Sequence, residues 1–114
     1  MHELTIAENI KKTIEEVLKD KKAVVTRINL RVGKLRAVVP EALIFCFKFV
    51  AEGSSMENAE LKIQEIPVKG ICKKCDRDFV IDEPLFICPF CGSNHVELLS
   101  GRELEIESIE IEEG

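Results

Sequence analysis

The sequence predicts an α+β fold: two helices packed on a small three-stranded sheet, with a zinc-ribbon-like module inserted before the last strand. Three observations predict it. Apolar residues recur at helical spacing over 4–18 and crowd a second run that starts at Pro40. Three other stretches alternate apolar and polar residues with the period of a strand. Between the last two of them, four cysteines stand as two Cys-x2-Cys pairs. The expected division is residues 1–68 with 99–114 for the α/β part, and 69–98 for the inserted module.

In chain order, Leu4, Ala7, Ile10, Ile14, Val17 and Leu18 share one helical face. Thr5 and Glu8 have the spacing of a capping box, so the first helix is expected to begin near Thr5 and end around "KDKK". That leaves Met1, His2 and Glu3 just outside it. In "VTRINLRVG", Ile28, Leu30 and Val32 fall on one face and Arg27, Asn29 and Arg31 on the other, the pattern of a half-buried strand.

Pro40 suits the first turn of the second helix, "PEALIFCFKFVAEG", and Gly53 can close it. Its charges Glu41, Lys48 and Glu52 form one narrow stripe, so most of its circumference is expected to pack against the sheet and the first helix rather than serve a partner. Cys46 on this helix reads as core filling. "AELKIQEIPV" and "RELEIESIEIEE" each slip phase once, predicting bulges or strong twist near Gln64–Glu65 and Glu107–Ser108. The glutamates of the last strand should face water, within reach of Arg27 and Arg31 if the strands adjoin. "PVKG" and "LLSG" read as the hinges of the insertion.

Charge narrows the function. The net charge of −5 is concentrated near the end: residues 99–114 hold one basic and six acidic side chains. General nucleic-acid binding draws on clustered Lys and Arg, which this chain lacks. No apolar run reaches the length of a membrane span, and the start lacks the basic end and apolar stretch of a signal peptide, so a soluble cytoplasmic protein is expected. The two histidines, His2 and His95, make no catalytic set, and no phosphate loop is present; the reading is not an enzyme.

The cysteines read Cys72-x2-Cys75-x12-Cys88-x2-Cys91. Each pair can curl around one ion, and four thiolates suit tetrahedral Zn(II) with no open position, which makes the expected role structural. A segment of this size buries too little apolar surface to fold unaided. Rubredoxin-like iron, as in an electron carrier, and a zinc-ribbon interaction or nucleic-acid module stand as alternatives. His95 reads as a surface histidine because four cysteines already complete a shell.

The "MHE" start, "VGKLRAVVPEALIFCF", "GSSMENAELKIQEIPV", the cysteine pairs with "CPFCGS", and "SGRELEIESIEIE" occur in order over essentially the whole chain. In these stretches the sequence resembles the HypA/HybF nickel metallochaperones of hydrogenase maturation. The resemblance implies a nickel-binding α/β domain, an inserted structural zinc domain, and Ni(II) delivery to the [NiFe]-hydrogenase large subunit or its maturation complex. It also implies a partner GTPase and, in some bacteria, supply to urease; homodimerisation stays open. His2 matches the family's nickel ligand and Glu3 its neighbour, while Cys72, Cys75, Cys88 and Cys91 match its zinc ligands.

Two positions depart from the family pattern. Some relatives carry an Asp near the start of the second helix, where this chain reads "VVPEAL" and Glu41 is the nearest carboxylate. Asn58 stands where a turn glycine is common, and asparagine tolerates a left-handed backbone. Chemically, the Met1 amine with the His2 backbone nitrogen and imidazole can close chelate rings on one ion. A carboxylate or backbone nitrogen from Glu3 can complete the set. Nitrogen-rich planar donors favour Ni(II) and Cu(II) over oxygen-loving cations.

Overall fold

The structure is a computed structural model that describes residues 2–19, 21–83 and 85–113. Its elements are α1 (Glu3–Val17), β1 (Ala23–Gly33), a 3-10 turn (Lys34–Arg36), α2 (Pro40–Ala51) and β2 (Glu60–Ile66), then β3 (Lys69–Cys72), β4 (Asp78–Val80), β5 (Val96–Ser100) and β6 (Leu104–Glu113). They form two three-stranded sheets, ordered β2-β1-β6 and β4-β3-β5. The α+β class is therefore as expected, with two helices and small antiparallel sheets. The chain divides into two compact units, residues 1–31, 38–64 and 105–114, and residues 32–37 and 65–104.

The first unit is built on aliphatic periodicity. Ile6, Ala7, Ile10 and Ile14 form the buried stripe of α1, while Val25, Ile28 and Leu30 are the buried positions of β1. Leu43, Phe47 and Ala51, four residues apart, give α2 one buried line, and Met56 and Leu61 complete the core. Thr26 bonds the Glu110 carbonyl and Asn29 bonds Ser108, while Arg31 pairs with Glu105. These partners descend as β1 ascends, so β6 runs antiparallel to it. Arg27 also reaches Glu60 and Glu110, at 3.5 and 3.3 Å, and Arg31 lies 3.8 Å from Glu107. The acidic face of β6 is thus partly compensated, as expected. Exposed pairs of this kind each stabilise by about 0–1 kcal/mol.

Burial follows the two phase slips seen in the sequence. Gln64 and Glu65 are consecutive exposed residues in β2, as are Glu107 and Ser108 in β6, and both strands run unbroken through them. Asn58 ends a turn without adopting a left-handed backbone, since among the described non-glycine residues only Ala37 and Asp76 have positive φ.

Two expectations are corrected. α1 starts at Glu3, not near Thr5: His2 is its N-cap and its carbonyl accepts the Ile6 N–H at 3.2 Å. Thr5 lies inside the helix, at its third position, and so forms no capping box. On α2, Phe45 and Phe49 are 74% and 69% exposed, so the helix is not covered over most of its circumference. Leu43, Phe47 and Ala51 are buried and Ala42, Ile44, Cys46 and Val50 half-buried, while the side that carries Phe45 and Phe49 with Glu41 and Lys48 faces water.

This asymmetry has a measurable consequence. Replacing Phe45 and Phe49 together by serine is expected to shift stability by under about 0.5 kcal/mol per site. Leu43→Ala, on the buried line, is expected to cost about 2–5 kcal/mol. Urea unfolding of the three proteins compares them directly.

Candidate metal centre

In the second unit, β3 pairs antiparallel with β4 (Lys69↔Val80, Ile71↔Asp78) and with β5 (Ile71↔Glu97, Cys72↔Val96). The β3–β5 register is irregular between Lys69 and Gly70. Cys72 ends β3 and begins the first of two matching turns. In each, the residue four after the leading cysteine returns its N–H to that cysteine's carbonyl: Asp76 to Cys72 at 2.8 Å and Gly92 to Cys88 at 2.9 Å. The leading cysteine's own N–H bonds the carbonyl five residues on, Arg77 for Cys72 and Ser93 for Cys88. Asp76 and Gly92 occupy the same turn position and share a left-handed backbone, with φ of 60° and 76°. "CKKCDR" and "CPFCGS" are therefore one local structure used twice.

Folding the two turns together brings the four Sγ atoms within 4.8 Å of one another. Cys72 to Cys91 and Cys75 to Cys88 are each 3.6 Å apart. A tetrahedron with Zn–S bonds of about 2.3 Å has edges of about 3.8 Å. Donor type, number and spacing thus fit a structural zinc, which Cys72, Cys75, Cys88 and Cys91 would hold with every coordination position filled. Cys72 and Cys88 are buried, whereas Cys75 is half-buried and Cys91 exposed.

Backbone N–H groups converge on the sulfurs. Those of Cys75 and Lys74 point at Cys72, and those of Cys91 and Phe90 at Cys88, the Phe90 N–H at 3.4 Å. The Cys75 N–H, with the Lys74 N–H, draws the Cys72 thiol down to about 6 against its burial. For Cys75, the Arg77 N–H acts downward, but burial and the three neighbouring sulfurs prevail and push it up to about 11. Cys88 is likewise lowered: burial opposes the shift, but the N–H groups of Cys91 and Phe90 and the neighbouring sulfurs outweigh it. Cys91 is raised, with the Ser93 N–H opposing and burial and the Cys72 and Cys88 sulfurs prevailing. The four thiols alternate because their negative charges resist coexistence without a cation, so they titrate as one set. Beside them, the Phe90 ring meets Phe79 edge-on at 6.5 Å and carries the Arg77 guanidinium 4.9 Å from its centroid.

His95 stays out of this cluster. It is exposed, its carbonyl accepts the Lys73 N–H and its own N–H bonds Ser93 Oγ. His2 is exposed at the N-cap of α1 and its side chain makes no capping bond. Glu3 is half-buried, and its Oε2 accepts the Val39 N–H at 3.2 Å. That bond, with one from its own backbone N–H, holds the Glu3 carboxyl below the usual range. Met1, whose amine was expected at the nickel site, lies outside the described residues. Sequence reasoning missed the Val39 contact; its one signal was that "VVPEAL" places no acceptor side chain at the N-cap (Val39) or the third helical position (Ala42).

Fold and cysteine set define an α+β metal-binding protein with a zinc-ribbon-like four-cysteine centre. Comparison with known proteins narrows the class. The family described as "Hydrogenase/urease nickel incorporation, metallochaperone, hypA" matches residues 1–111. Hydrogenase maturation factor HypA of Nostoc sp. is 42% identical over 113 residues, covering 99% of this chain and 97% of that one. HypA of Desulfatibacillum aliphaticivorans is 44% identical over 97% of this chain and 87% of its own. The solution structure of the nickel metallochaperone HypA from Helicobacter pylori superposes with a TM-score of 0.67 at 25% identity, covering 97% of both chains. The chain belongs to the HypA family of hydrogenase nickel-incorporation metallochaperones, which are not enzymes. No helix among the described residues is long and apolar enough to cross a membrane.

Proposed function

We propose that this protein is a cytoplasmic carrier that binds Ni(II) at its N-terminus and passes it to the maturation machinery of [NiFe]-hydrogenase, and in some settings urease. Residues 1–68 and 99–114 form the nickel-binding part, and 69–98 the zinc module. The nickel ligands are His2, through imidazole and backbone nitrogen, and Glu3, through its backbone nitrogen or carboxylate, with the Met1 amine beside them. Partners are a maturation GTPase and the hydrogenase large subunit or its maturation complex, and a homodimer fits the same role.

One observation carries the reading. His2 stands exposed at the very start of α1 with its imidazole making no capping bond, in a chain matched by the nickel-incorporation family from residue 1. A surface site lets a recipient's ligands replace the carrier's one at a time, which a sealed four-cysteine centre does not allow.

His2→Ala, and a protein extended by a few residues at the N-terminus, are each expected to weaken Ni(II) binding more than about a hundredfold while keeping one zinc. Isothermal titration with nickel reads this out. Amine and imidazole must shed protons to bind, so wild-type affinity is expected to fall as pH drops below neutrality. Normal binding by His2→Ala would refute the terminal site, and normal binding by the extended protein would remove the amine from it.

A further inference from the structure

We propose that the Glu3 carboxylate is a positioning group rather than a nickel ligand: it caps the start of α2 from across the fold and so fixes where His2 stands. Its relevance to nickel rests on the terminal site proposed above; the cap itself does not.

The argument begins with what α2 lacks. Its N-cap is Val39, whose side chain accepts nothing, and its first helical residue is Pro40. In a capping box, a Glu or Gln at the third helical position reaches back to the N-cap N–H. Here that position is Ala42. The Val39 N–H would then be left to water, since helix starts hold donors that the helix itself cannot satisfy.

Glu3 fills the vacant role. Its Oε2 takes the Val39 N–H at 3.2 Å, bridging 36 positions of sequence. Glu3 is also the first residue of α1, where a negative charge is favoured by that helix's own dipole. One carboxylate therefore serves two helix starts and ties them together. His2 precedes this tie by a single residue, so the backbone that follows its α-carbon is held twice, by the α1 hydrogen bond from Ile6 to its carbonyl and by the Glu3 bridge next to it. A loosely held terminus would lose entropy on closing around an ion, and the bridge removes part of that cost in advance. Drawing Oε2 onto a metal would instead break the cap.

The test compares Glu3→Gln and Glu3→Ala in the full-length, zinc-loaded protein, by amide hydrogen exchange at Val39 without nickel and by nickel titration. Glutamine keeps an oxygen acceptor and loses the charge; alanine loses both. Glu3→Ala is expected to speed Val39 exchange about tenfold and to weaken nickel binding about five- to tenfold, the scale of one lost hydrogen bond. Glu3→Gln is expected to retain most of both. Equal loss of nickel by the two variants would make the carboxylate a ligand and overturn the proposal. Unchanged Val39 exchange in Glu3→Ala would overturn the cap directly. If His2→Ala binds nickel normally, the terminal site fails, while Val39 exchange still decides the cap.

Discussion

Cys88→Ser is expected to yield a protein without stoichiometric zinc, whose residues 69–98 lose amide dispersion while α1 and β1 keep theirs. The second unit has only short strands of four, three and five residues in its own sheet. Two of its most deeply buried side chains are the ligands Cys72 and Cys88 themselves. Metal binding in modules of this size contributes about 10–16 kcal/mol, far more than so small a core supplies. Serine keeps the volume but offers a hydroxyl in place of a thiolate, so the loss reports on ligation and not on packing. Metal analysis and a two-dimensional amide spectrum check both parts. Zinc retained at one per chain would refute the assignment of Cys88. A visible thiolate-to-iron absorption in the wild type would refute zinc in favour of the rubredoxin-like alternative.

The same centre sets a pH dependence whose sign follows from its thiols. In the metal-free set Cys75 lies near 11 and Cys91 is also raised, so both carry protons at neutral pH and an incoming ion must displace them. Zinc affinity therefore falls as pH falls, by at least about a hundredfold per unit near neutrality, because the ion displaces the protons of Cys75 and Cys91. Below the pKa of about 6 for Cys72 a further proton competes, and the dependence steepens.

How much of this was legible in the sequence varies with how local the cause is. The core of α1 and β1 followed from periodicity, because Ile10, Ile14, Ile28 and Leu30 are buried by their own spacing. The four-cysteine centre followed from spacing too, since each turn closes within six residues. The start of α1 did not, because the capping box at Thr5 and Glu8 is a local pattern and Glu3 engages Val39, a distant backbone group. α2 was misjudged for the opposite reason. Phe45 and Phe49 read as core by composition, but burial depends on how many neighbours the fold supplies, and this fold supplies one covered side. The repeat of turn geometry at Asp76 and Gly92 was hidden because different residues adopt the same left-handed backbone.

Gly33→Ala is expected to be as damaging as a large truncation in the core, although the position holds no functional group. Its backbone is ordinary, with φ −71° and ψ 141°, so glycine is not there for conformational freedom. It is there for space. A Cβ at Gly33 would stand 2.0 Å from the Gly101 carbonyl oxygen and 2.6 Å from the Arg102 nitrogen. Neither neighbour can step aside. The Gly101 oxygen accepts the Leu35 N–H at 3.0 Å, and the Gly33 N–H donates to the Glu103 carbonyl at 2.7 Å. Gly101 itself has φ +117°, and its α-carbon is backed by Val68. Relief therefore requires main-chain displacement of both segments, at a cost of about 3 kcal/mol or more. In a domain of this size that is about 10–20 °C in Tm. Gly53→Ala is the matched control: nothing lies within 4 Å of its Cβ, and only its φ of +76° is unfavourable, so about 1–2 kcal/mol is expected. Thermal unfolding of the zinc-loaded proteins ranks the two, and a Gly33→Ala protein melting within about 2 °C of wild type would refute the close approach of Gly33 to the connection at Gly101–Arg102.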